Sequence, residues 1–585
     1  MQISSNWKGG ASAVAGQGLA GRASRRLVSC VSIAAVTLAM AASAAKAEDA
    51  VTIQEIKDLK AHLRMLEKRL DAQAKKTDKV LRHEAAYPPP GAPYSPPMPW
   101  DKKFHLNGIT LTPGGFLAAE GVWRSRDTGG DFSPQFGSLP AYTTAPAHMN
   151  EIRGTARQSR VSLLAEGEIN PSTVASAYGE FDFLASGITA NSSESNSYQP
   201  RIRHLYGALD WNDIGVHLLA GQTWSLATLN NKGITPRNEV TPLTIDAQYV
   251  AGFTWARQPQ IRLTKNFGDS FWVAASAEMP QTASPCAGGN GTGAAIAGTT
   301  VGGTNQAICS QVPSGGSGVL NTAYGYSINH IPDVIAKAAW EPTLGDRKIH
   351  IEGYGLYTDL YDYVEYGNVT GAGTTGSPYV VGTSTNNTRY DTTGWGAGGG
   401  IIIPVIPKFI DVQGSGIIGR GIGRYGTSGL AAATFNPNGS LDPLPEVQYL
   451  GGVIVHATPQ LDIYAYGGEE KILSADWTST TGAGYSNPLA NNSGCYIVNG
   501  TCAGKVQDAW EATVGFWDKI YEGAFGSIRV GLQYAYIQDD LFAGSANAAS
   551  VAVGTPRFND QMVYASFRYY PFDAPPPPAP VISKY

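Results

Sequence analysis

Charged residues are scarce in this sequence. Lys, Arg, Asp and Glu make up 15% of the 585 residues, whereas an average soluble domain contains about 25%. After the N-terminal segment there is no run of about 18 apolar residues, which excludes a helical membrane protein. Hydrophobic residues make up 43% and aromatic residues 10%, so the sequence also excludes a disordered chain.

Glycine and tyrosine are abundant. The sequence contains 70 Gly, and its 29 Tyr outnumber its 17 Phe, a composition typical of a large all-β protein. The formal net charge is −5, which disfavours nucleic acid as a partner. There is no H-E-x-x-H, Walker loop or G-x-S-x-G motif. We therefore expect neither an enzyme nor a bound cofactor or metal.

The first 47 residues have the features of an export signal. Three arginines precede an apolar run over Leu27–Ala42, and Ala45-Lys46-Ala47 matches an A-x-A cleavage site. The apolar run is short and ends in small residues, which favours a cleaved signal peptide over a transmembrane anchor. We therefore predict that residues 1–47 are a signal peptide.

Residues 48–86 show a heptad pattern of apolar residues. The two seam positions are occupied by Ile56, Leu63, Leu70 and Thr77, and by Leu59, Leu66, Gln73 and Val80. This pattern predicts a short coiled coil, which should self-associate because a helix of this length is marginal alone. The proline-rich residues 87–103 then predict a semi-rigid linker.

Residues 104–572 alternate between apolar and polar side chains with the period of a β-strand. Val161, Leu163 and Ala165, for example, alternate with polar neighbours. Short turns occur near residues 170–172, 212–213, 268–270, 344–346, 407–408 and 523–526. Long loops occur near residues 125–154, 187–199, 225–256, 282–330, 362–388, 425–446, 475–508 and 541–555. This arrangement predicts an all-β fold, a transmembrane antiparallel β-barrel of about 16 strands.

Two further patterns fit a barrel. Aromatic residues near strand ends are candidates for girdles at the membrane interfaces: Trp123, Trp211, Trp340, Tyr357, Trp510, Phe516 and Trp517.

Residues 414–419 match G-x-G-x-x-G, but further glycines follow where a dinucleotide-binding fold needs a helix. We interpret these residues as a glycine-rich strand against which a bulky group packs.

The cysteines agree with export. Cys286 and Cys309 lie in one polar loop, and Cys495 and Cys502 lie in another. Four cysteines allow three connectivities, of which local pairing within each loop is the simplest. We predict disulfides within these loops, formed in an oxidising compartment.

The alternation also assigns charges to the inside of the barrel. The basic candidates are Arg160, Arg262, Lys337, Arg529 and Arg568. The acidic candidates are Glu166, Glu168, Glu180, Asp182, Glu352 and Glu511. The third long loop, 225–256, is the candidate constriction loop and carries Lys232, Arg237, Glu239 and Asp246. Such charges either select ions or only solvate a wide lumen.

The order of these parts resembles that of the DcaP-like trimeric porins. The resemblance includes the signal, the heptads, the proline-rich linker, and the segments Phe104–Gly108, Arg201–Gly207 and Gly221–Trp224. It implies a homotrimer and passive uptake of small organic acids or similar anions. The chain departs from the usual pattern in its proline-rich tail, residues 573–585, which follows the aromatic end of the last strand.

Together these features predict an outer-membrane porin of a Gram-negative bacterium for small hydrophilic solutes, with anions such as dicarboxylates favoured. The N-terminal segment would lie in the periplasm, and the barrel would contact outer-membrane lipid. The net negative charge favours cations, but the arginines near the third loop favour anions, and local charge should dominate. The alternative is an anchor that links the outer membrane to the cell wall through the coiled coil.

Overall fold

The structure is a computed structural model. It describes residues 103–573 except 131, 133–135, 138, 185–198, 247–249, 283–293, 302–303, 310–326, 328, 366–368, 371–379, 382–387, 437–439, 479–482, 524 and 547–551. The predicted signal peptide, coiled coil and nearly all of the linker lie outside the described residues, as does the tail after Asp573. Among the described residues, no helix is long and apolar enough to cross a membrane.

The described residues form a closed antiparallel barrel of sixteen strands, as predicted. Its first half contains β1 (Ile109–Arg124), β2 (Arg160–Asn170), β3 (Thr173–Asp182), β4 (Arg201–Trp211), β5 (Val216–Trp224), β6 (Arg257–Phe267), β7 (Phe271–Glu278) and β8 (Asp333–Trp340). Its second half contains β9 (His350–Glu365), β10 (Thr388–Ile406), β11 (Ile410–Arg420), β12 (Pro445–His456), β13 (Leu461–Ile472), β14 (Val506–Gly523), β15 (Gly526–Leu541) and β16 (Arg557–Tyr570).

The barrel closes between its first and last strands. The upper part of β1 pairs with β16, from Leu117 opposite Tyr569 to Arg124 opposite Met562. The lower part of β1 pairs with β2, from Ile109 opposite Gly167 to Phe116 opposite Arg160. Each of the other strands pairs with its neighbours in sequence, so the backbone of the sheet has no long free edge.

Short elements extend this barrel. Four further strands join the same sheet: Phe104–Leu106, Glu151–Thr155, Ala294–Val301 and Thr304–Cys309. The remaining short strands are Thr343–Leu344, Arg347–Lys348, Val369–Thr370, Val380–Val381, Ala433–Phe435, Leu441–Pro443, Asp476–Thr478, Ala483–Tyr485, Gly544–Ser545 and Ala552–Val553. Two 3-10 helices, Ala145–His148 and Gly423–Tyr425, lie in the first and sixth long loops.

Short turns and long loops alternate around the barrel, as the sequence predicted. Residues 171–172, 268–270 and 407–409 form turns at one end, whereas 225–256 and 421–444 form loops at the other. Short periplasmic turns and longer extracellular loops are typical of outer-membrane barrels. We refer to the two ends as periplasmic and extracellular on this basis.

The outer surface of the barrel is apolar. Val161, Leu163 and Ile261 point outward and are 58%, 46% and 61% exposed, which suits contact with lipid chains. Of the predicted girdle residues, Trp123, Trp340 and Tyr357 are exposed on this surface. The girdle prediction is wrong for Trp517, because its indole points inward and donates to the Leu243 carbonyl at 2.8 Å.

Two smaller predictions concern local structure. The glycine-rich residues 414–419 lie within β11, where a Cβ on Gly416 would come within 3.2 Å of the Tyr449 Cβ.

Cys495 and Cys502 are joined by a disulfide within the seventh long loop. Cys286 lies outside the described residues, and nothing is described of the Cys309 side chain.

Candidate functional site

The third long loop, 225–256, folds into the barrel. Its apolar residues Leu226, Ile234, Ile245 and Phe253 are at most 2% exposed. Among the described residues of the loop, the β-bridge between Asn230 and Glu239 is the only one, and it lies within the loop. A loop that leaves the wall needs partners for its backbone N–H and C=O groups. Inward-facing side chains of the barrel wall supply them.

The first half of the loop is held by strands β7 to β9. Glu278 accepts a hydrogen bond from the Leu226 N–H at 2.8 Å, and Glu352 accepts one from the Asn230 N–H at 3.1 Å. Lys337 donates to the Thr228 carbonyl at 2.7 Å and to Glu352 at 2.6 Å. These wall charges therefore fix the loop.

The second half of the loop is held by strands β13 to β15. Glu511 accepts from the Ala251 N–H at 3.1 Å, and Gln533 accepts from the Ile245 N–H at 2.6 Å. Glu470 accepts from the Gly252 N–H at 2.9 Å. The loop thus spans the lumen between two opposite stretches of wall.

Glu470 also holds the sixth long loop. Its carboxyl group accepts hydrogen bonds from the Thr427 N–H at 2.8 Å and the Ser428 N–H at 2.9 Å. At Gly252 the backbone has a φ of +82°, and a Cβ there would lie 1.9 Å from the Tyr449 carbonyl oxygen. A residue without a side chain is therefore required where the third loop approaches the wall.

Apolar packing reinforces this arrangement on both sides. Leu226 and Ile234 pack with Tyr354 and Ile417 in one buried cluster inside the barrel. Ile245 and other residues of the second half pack in another cluster with side chains of the first loop and of β12 to β16. Gly400 leaves space for the loop, because a Cβ there would lie 2.5 Å from the Leu229 Cδ1.

The inward faces of β2 and β3 and the lower part of β4 remain accessible. We call Arg160, Ser162, Leu164, Tyr178, Glu180 and Ala208 the accessible wall. Each of these residues is partly exposed, whereas Gln260, Ser276 and Lys337 on β6 to β8 are at most 5% exposed. The third loop therefore covers the inward faces of β6 to β8 and leaves the accessible wall uncovered, and we call the space beside this wall the passage.

Glu166 and Glu168 lie on β2 toward its periplasmic end and have no ion pair among the described residues, whereas Glu180 and Asp182 are paired with arginines. Arg203 contacts Glu180 at 2.5 Å and Asp182 at 2.9 Å. Arg201 contacts Asp182 at 2.7 Å. Asp182 and the Arg203 side chain are at most 1% exposed. These carboxylates therefore add little net negative charge to the passage.

Three cations along the passage have no ion-pair partner within the described part of the chain: Arg160, Arg237 and Lys232. Arg160 stacks on the Phe116 ring, with its guanidinium carbon 5.2 Å from the ring centroid. Arg237 is exposed on the loop. Its guanidinium lies 3.4 Å from the Tyr206 hydroxyl, and its Cζ lies 5.6 Å from the centre of the Tyr178 ring.

The register places these cations at descending heights. Arg160 lies opposite Phe116, near the middle of β1. Tyr178, which contacts Arg237, pairs with Leu164, four residues further toward the periplasm on β2. Lys232 lies lower still, because the next residue, Gly233, donates its N–H to Glu341 in the periplasmic turn after β8. The three cations therefore lie at successive depths in the barrel, and we call them the line of cations.

Other predicted lumen charges have structural contacts. Arg262 is 2% exposed, donates to the Trp224 carbonyl at 2.6 Å and lies 3.9 Å from Glu239. Burial raises the pKa of the Glu239 carboxyl, and the charge of Arg262 opposes that rise. Lys337, described above, and Asp246 are also buried. These residues hold the loop rather than face the passage.

The last two basic candidates lie on β15 and β16. Arg568 contacts Glu120 at 2.7 Å, donates to the Ile245 carbonyl and stacks on Trp517. Arg529 contacts Asp573 at 3.2 Å, close to the periplasmic end of the barrel. The sequence analysis identified the third loop but missed that its backbone N–H and C=O groups use the wall charges as hydrogen-bond partners.

The barrel is similar to solved structures of outer-membrane channels. It matches the outer membrane channel DcaP of Acinetobacter baumannii with a TM-score of 0.50 and 16% identity, over 80% of this chain and 99% of that chain. OmpT of Vibrio cholerae matches with a TM-score of 0.38 and 11% identity, over 80% of this chain and 99% of that chain. An anion-selective porin from Comamonas acidovorans matches with a TM-score of 0.39 and 9% identity, over 79% of this chain and 99% of that chain. No family model and no curated protein matches the sequence.

Proposed function

We propose that this chain is an outer-membrane porin that lets small hydrophilic anions diffuse passively between its third loop and the accessible wall. The observation that carries this proposal is the line of three cations without ion pairs among the described residues, Arg160, Arg237 and Lys232. At the height of Arg160 the carboxylates Glu180 and Asp182 are paired with arginines, and the unpaired Glu166 and Glu168 lie nearer the periplasmic end of β2. The barrel it shares with the DcaP channel supports a channel role.

Coulomb's law gives the scale of the selectivity. A unit charge about 6 Å from a passing ion contributes about 0.7 kcal/mol at the dielectric constant of water, and more where low-dielectric walls replace water. That energy raises the local anion concentration about threefold and lowers the cation concentration by a similar factor. The line of cations therefore outweighs the formal net charge of −5, most of which lies farther away and is screened by salt.

The chemistry of the cations favours carboxylates among anions. A guanidinium can donate two parallel hydrogen bonds to one carboxylate, and Arg237 and Arg160 lie at different heights of the same wall. A solute with two carboxylates can pass from one cation to the next. Each contact must remain weak, because a tightly bound solute would block the passage.

Reversal potentials of the purified protein in a planar bilayer with a KCl gradient test the proposal. The parent should select anions. The double variant Arg237→Ala/Lys232→Ala should lower the chloride-to-potassium permeability ratio at least about threefold, after allowance for screening by salt. Lys505→Ala is the control, because it removes one positive charge from an exposed position in the seventh long loop and should leave the ratio unchanged.

The outcome also separates a porin from a membrane anchor. Stepwise single-channel currents support the porin, and an intact barrel that conducts no ions contradicts it. If the double variant retains the parental permeability ratio, these two cations do not set the selectivity. Arg160→Ala alone then tests whether the remaining cation of the line does so.

We also propose that the porin is a homotrimer in the outer membrane of a Gram-negative bacterium, with its N-terminal segment in the periplasm. The outward faces of β2 to β4 support this assembly. They combine exposed Val161 and Leu163 with the small residues Ala165, Ala177 and Gly179 around a shallow concavity, a surface on which a second copy can pack closely. Chemical crosslinking in detergent should give a trimer.

A further inference from the structure

A cluster of three metal-ligating side chains lies outside the passage. His330 is at the end of the fourth long loop, Asp359 is on β9, and Asp391 is on β10. Their candidate ligand atoms all lie within 4.8 Å of one another. The imidazole Nε2 is 3.2 Å from Asp391, and the Nδ1 is 3.7 Å from Asp359.

The position of the cluster follows from the strand register. Tyr357 on β9 pairs with Trp395 on β10, and both rings are exposed on the outer surface. Asp359 and Asp391 lie beyond this aromatic pair, toward the extracellular end of their strands. Aromatic pairs of this kind mark the edge of the apolar band in outer-membrane barrels, so the cluster lies at the level of the lipid headgroups.

One carboxylate of the cluster is buried without a hydrogen bond. Asp359 is only 3% exposed, and its Oδ2 has no hydrogen-bond partner in the described part of the chain. Burying an ionised carboxylate is costly unless a cation or a donor compensates it. The His330 imidazole contacts this carboxylate, but it is exposed and its Nδ1 is 3.7 Å away.

We propose that His330, Asp359 and Asp391 bind a divalent transition-metal ion such as Zn²⁺ on the outer wall of the barrel. One imidazole nitrogen and two carboxylate oxygens are ligands that Zn²⁺ accepts at about 2.0–2.2 Å, and a tetrahedral site then places them about 3.4 Å apart. The candidate ligand atoms now lie within 4.8 Å of one another, and metal binding requires them to move closer around one imidazole nitrogen, because the two ring nitrogens now face different carboxylates. Water would fill the remaining coordination position.

The surroundings favour this ion over the hard cations. Ca²⁺ and Mg²⁺ prefer oxygen ligands alone, whereas an imidazole suits Zn²⁺ and similar metals. The Tyr361 ring packs edge-on against the His330 imidazole with centroids 4.3 Å apart, which limits how the ring can turn. Bound metal would tie the end of the fourth loop to β9 and β10 and compensate the buried Asp359 carboxylate.

The test uses the purified full-length protein in detergent, without an affinity tag and after removal of metal by a chelator. Titration with ZnCl₂ followed by calorimetry should show one site per subunit that requires this cluster. Asp359→Asn and His330→Ala should each weaken that binding at least about tenfold, since even outer partners of metal ligands contribute that much. Excess Ca²⁺ should not compete.

A second histidine between two carboxylates provides the matched control. His456 contacts Asp462 at 2.6 Å and Asp411 at 3.2 Å through opposite ring nitrogens, near the periplasmic end of the barrel. His456→Ala should leave the binding unchanged. Retained heat-resistant migration on gels verifies that each variant is folded.

Co²⁺ provides an independent readout, because its visible absorption reports whether imidazole and carboxylate ligands surround the ion. The parental spectrum should change when His330 is replaced and should not change when His456 is replaced. Absence of saturable Zn²⁺ binding, equal binding by folded Asp359→Asn, or effective competition by Ca²⁺ would overturn the proposal. The contacts of His330 with the two carboxylates would then be a structural feature without a bound metal ion.

Discussion

The Glu470 carboxyl group should control how firmly the third loop stays inside the barrel. It is 1% exposed and accepts N–H hydrogen bonds from Gly252 in the third loop and from Thr427 and Ser428 in the sixth. Glu470→Leu replaces it with a side chain of similar size that accepts no hydrogen bond. Three backbone donors then lose their acceptor at the point where both loops meet the wall.

The size of the effect can be worked from these contacts. A buried donor without a partner costs about 1–3 kcal/mol, so three cost about 3–9 kcal/mol if no water reaches them. Apolar packing opposes detachment, since burial of Val250 and Phe253 contributes about 1.5–3 kcal/mol for each side chain. The free-energy cost of the unpaired donors and the stabilisation from apolar packing are similar in size. We therefore expect a loop that detaches for part of the time rather than one that is lost.

Single-channel recording measures this behaviour directly. The Glu470→Leu channel should fluctuate between the parental conductance and a larger one, with more open-channel noise, because the lumen widens whenever the loop leaves. Limited proteolysis should also cut residues 225–256 faster than in the parent. Glu470→Gln keeps a carbonyl acceptor and should have a smaller effect.

Glu522→Ala provides the control, because Glu522 is exposed at the periplasmic end and contacts only Lys519 among the ion pairs of the described residues. Heat-resistant migration on gels verifies that the barrel of each variant is intact. An intact Glu470→Leu channel with parental conductance, noise and protease resistance would refute the reasoning. The loop would then be held by its apolar packing and its other hydrogen bonds, without a measurable contribution from Glu470.

Two further predictions concern the seventh loop and the N-terminal segment. Replacing Cys495 and Cys502 with Ala should remove about 2.5 kcal/mol from the stability of the seventh loop, because the disulfide closes a ring of only about eight residues; faster proteolysis of 473–505 in an otherwise intact barrel checks this. Deleting residues 48–86 should lower the temperature at which the trimer dissociates on gels without abolishing the barrel, and unchanged heat resistance would contradict a role of the coiled coil in assembly.

Much of the barrel could be predicted because strand alternation and turns depend on residues that are close together in sequence. Val161 and Leu163 had to face lipid if their strand crosses a membrane, and this alternation also set the inward direction of Arg160. Tight turns and long loops are likewise visible as short segments of sequence. The sequence therefore predicted the strand number, the alternation of connections and the position of the third loop.

The roles of individual charges could not be predicted, because they depend on contacts distant in sequence. Glu511 and Ala251 are 260 residues apart, yet the carboxylate accepts the N–H of the loop residue. Alternation alone could not separate Arg262, buried beneath the loop, from Arg160, which remains partly exposed. That distinction arises only when the loop covers one side of the lumen.

Cysteine accessibility tests the location of the passage most directly. Ser162→Cys lies on the accessible wall, whereas Ser276→Cys lies beneath the third loop, where Ser276 is 4% exposed. An anionic thiol reagent added during single-channel recording should reduce the current stepwise in the Ser162→Cys channel and leave the parental and Ser276→Cys channels unchanged. It should also react faster than a cationic reagent of equal size. A Ser162→Cys channel that is not blocked, or a block only at Ser276→Cys, would contradict a passage between the third loop and this wall.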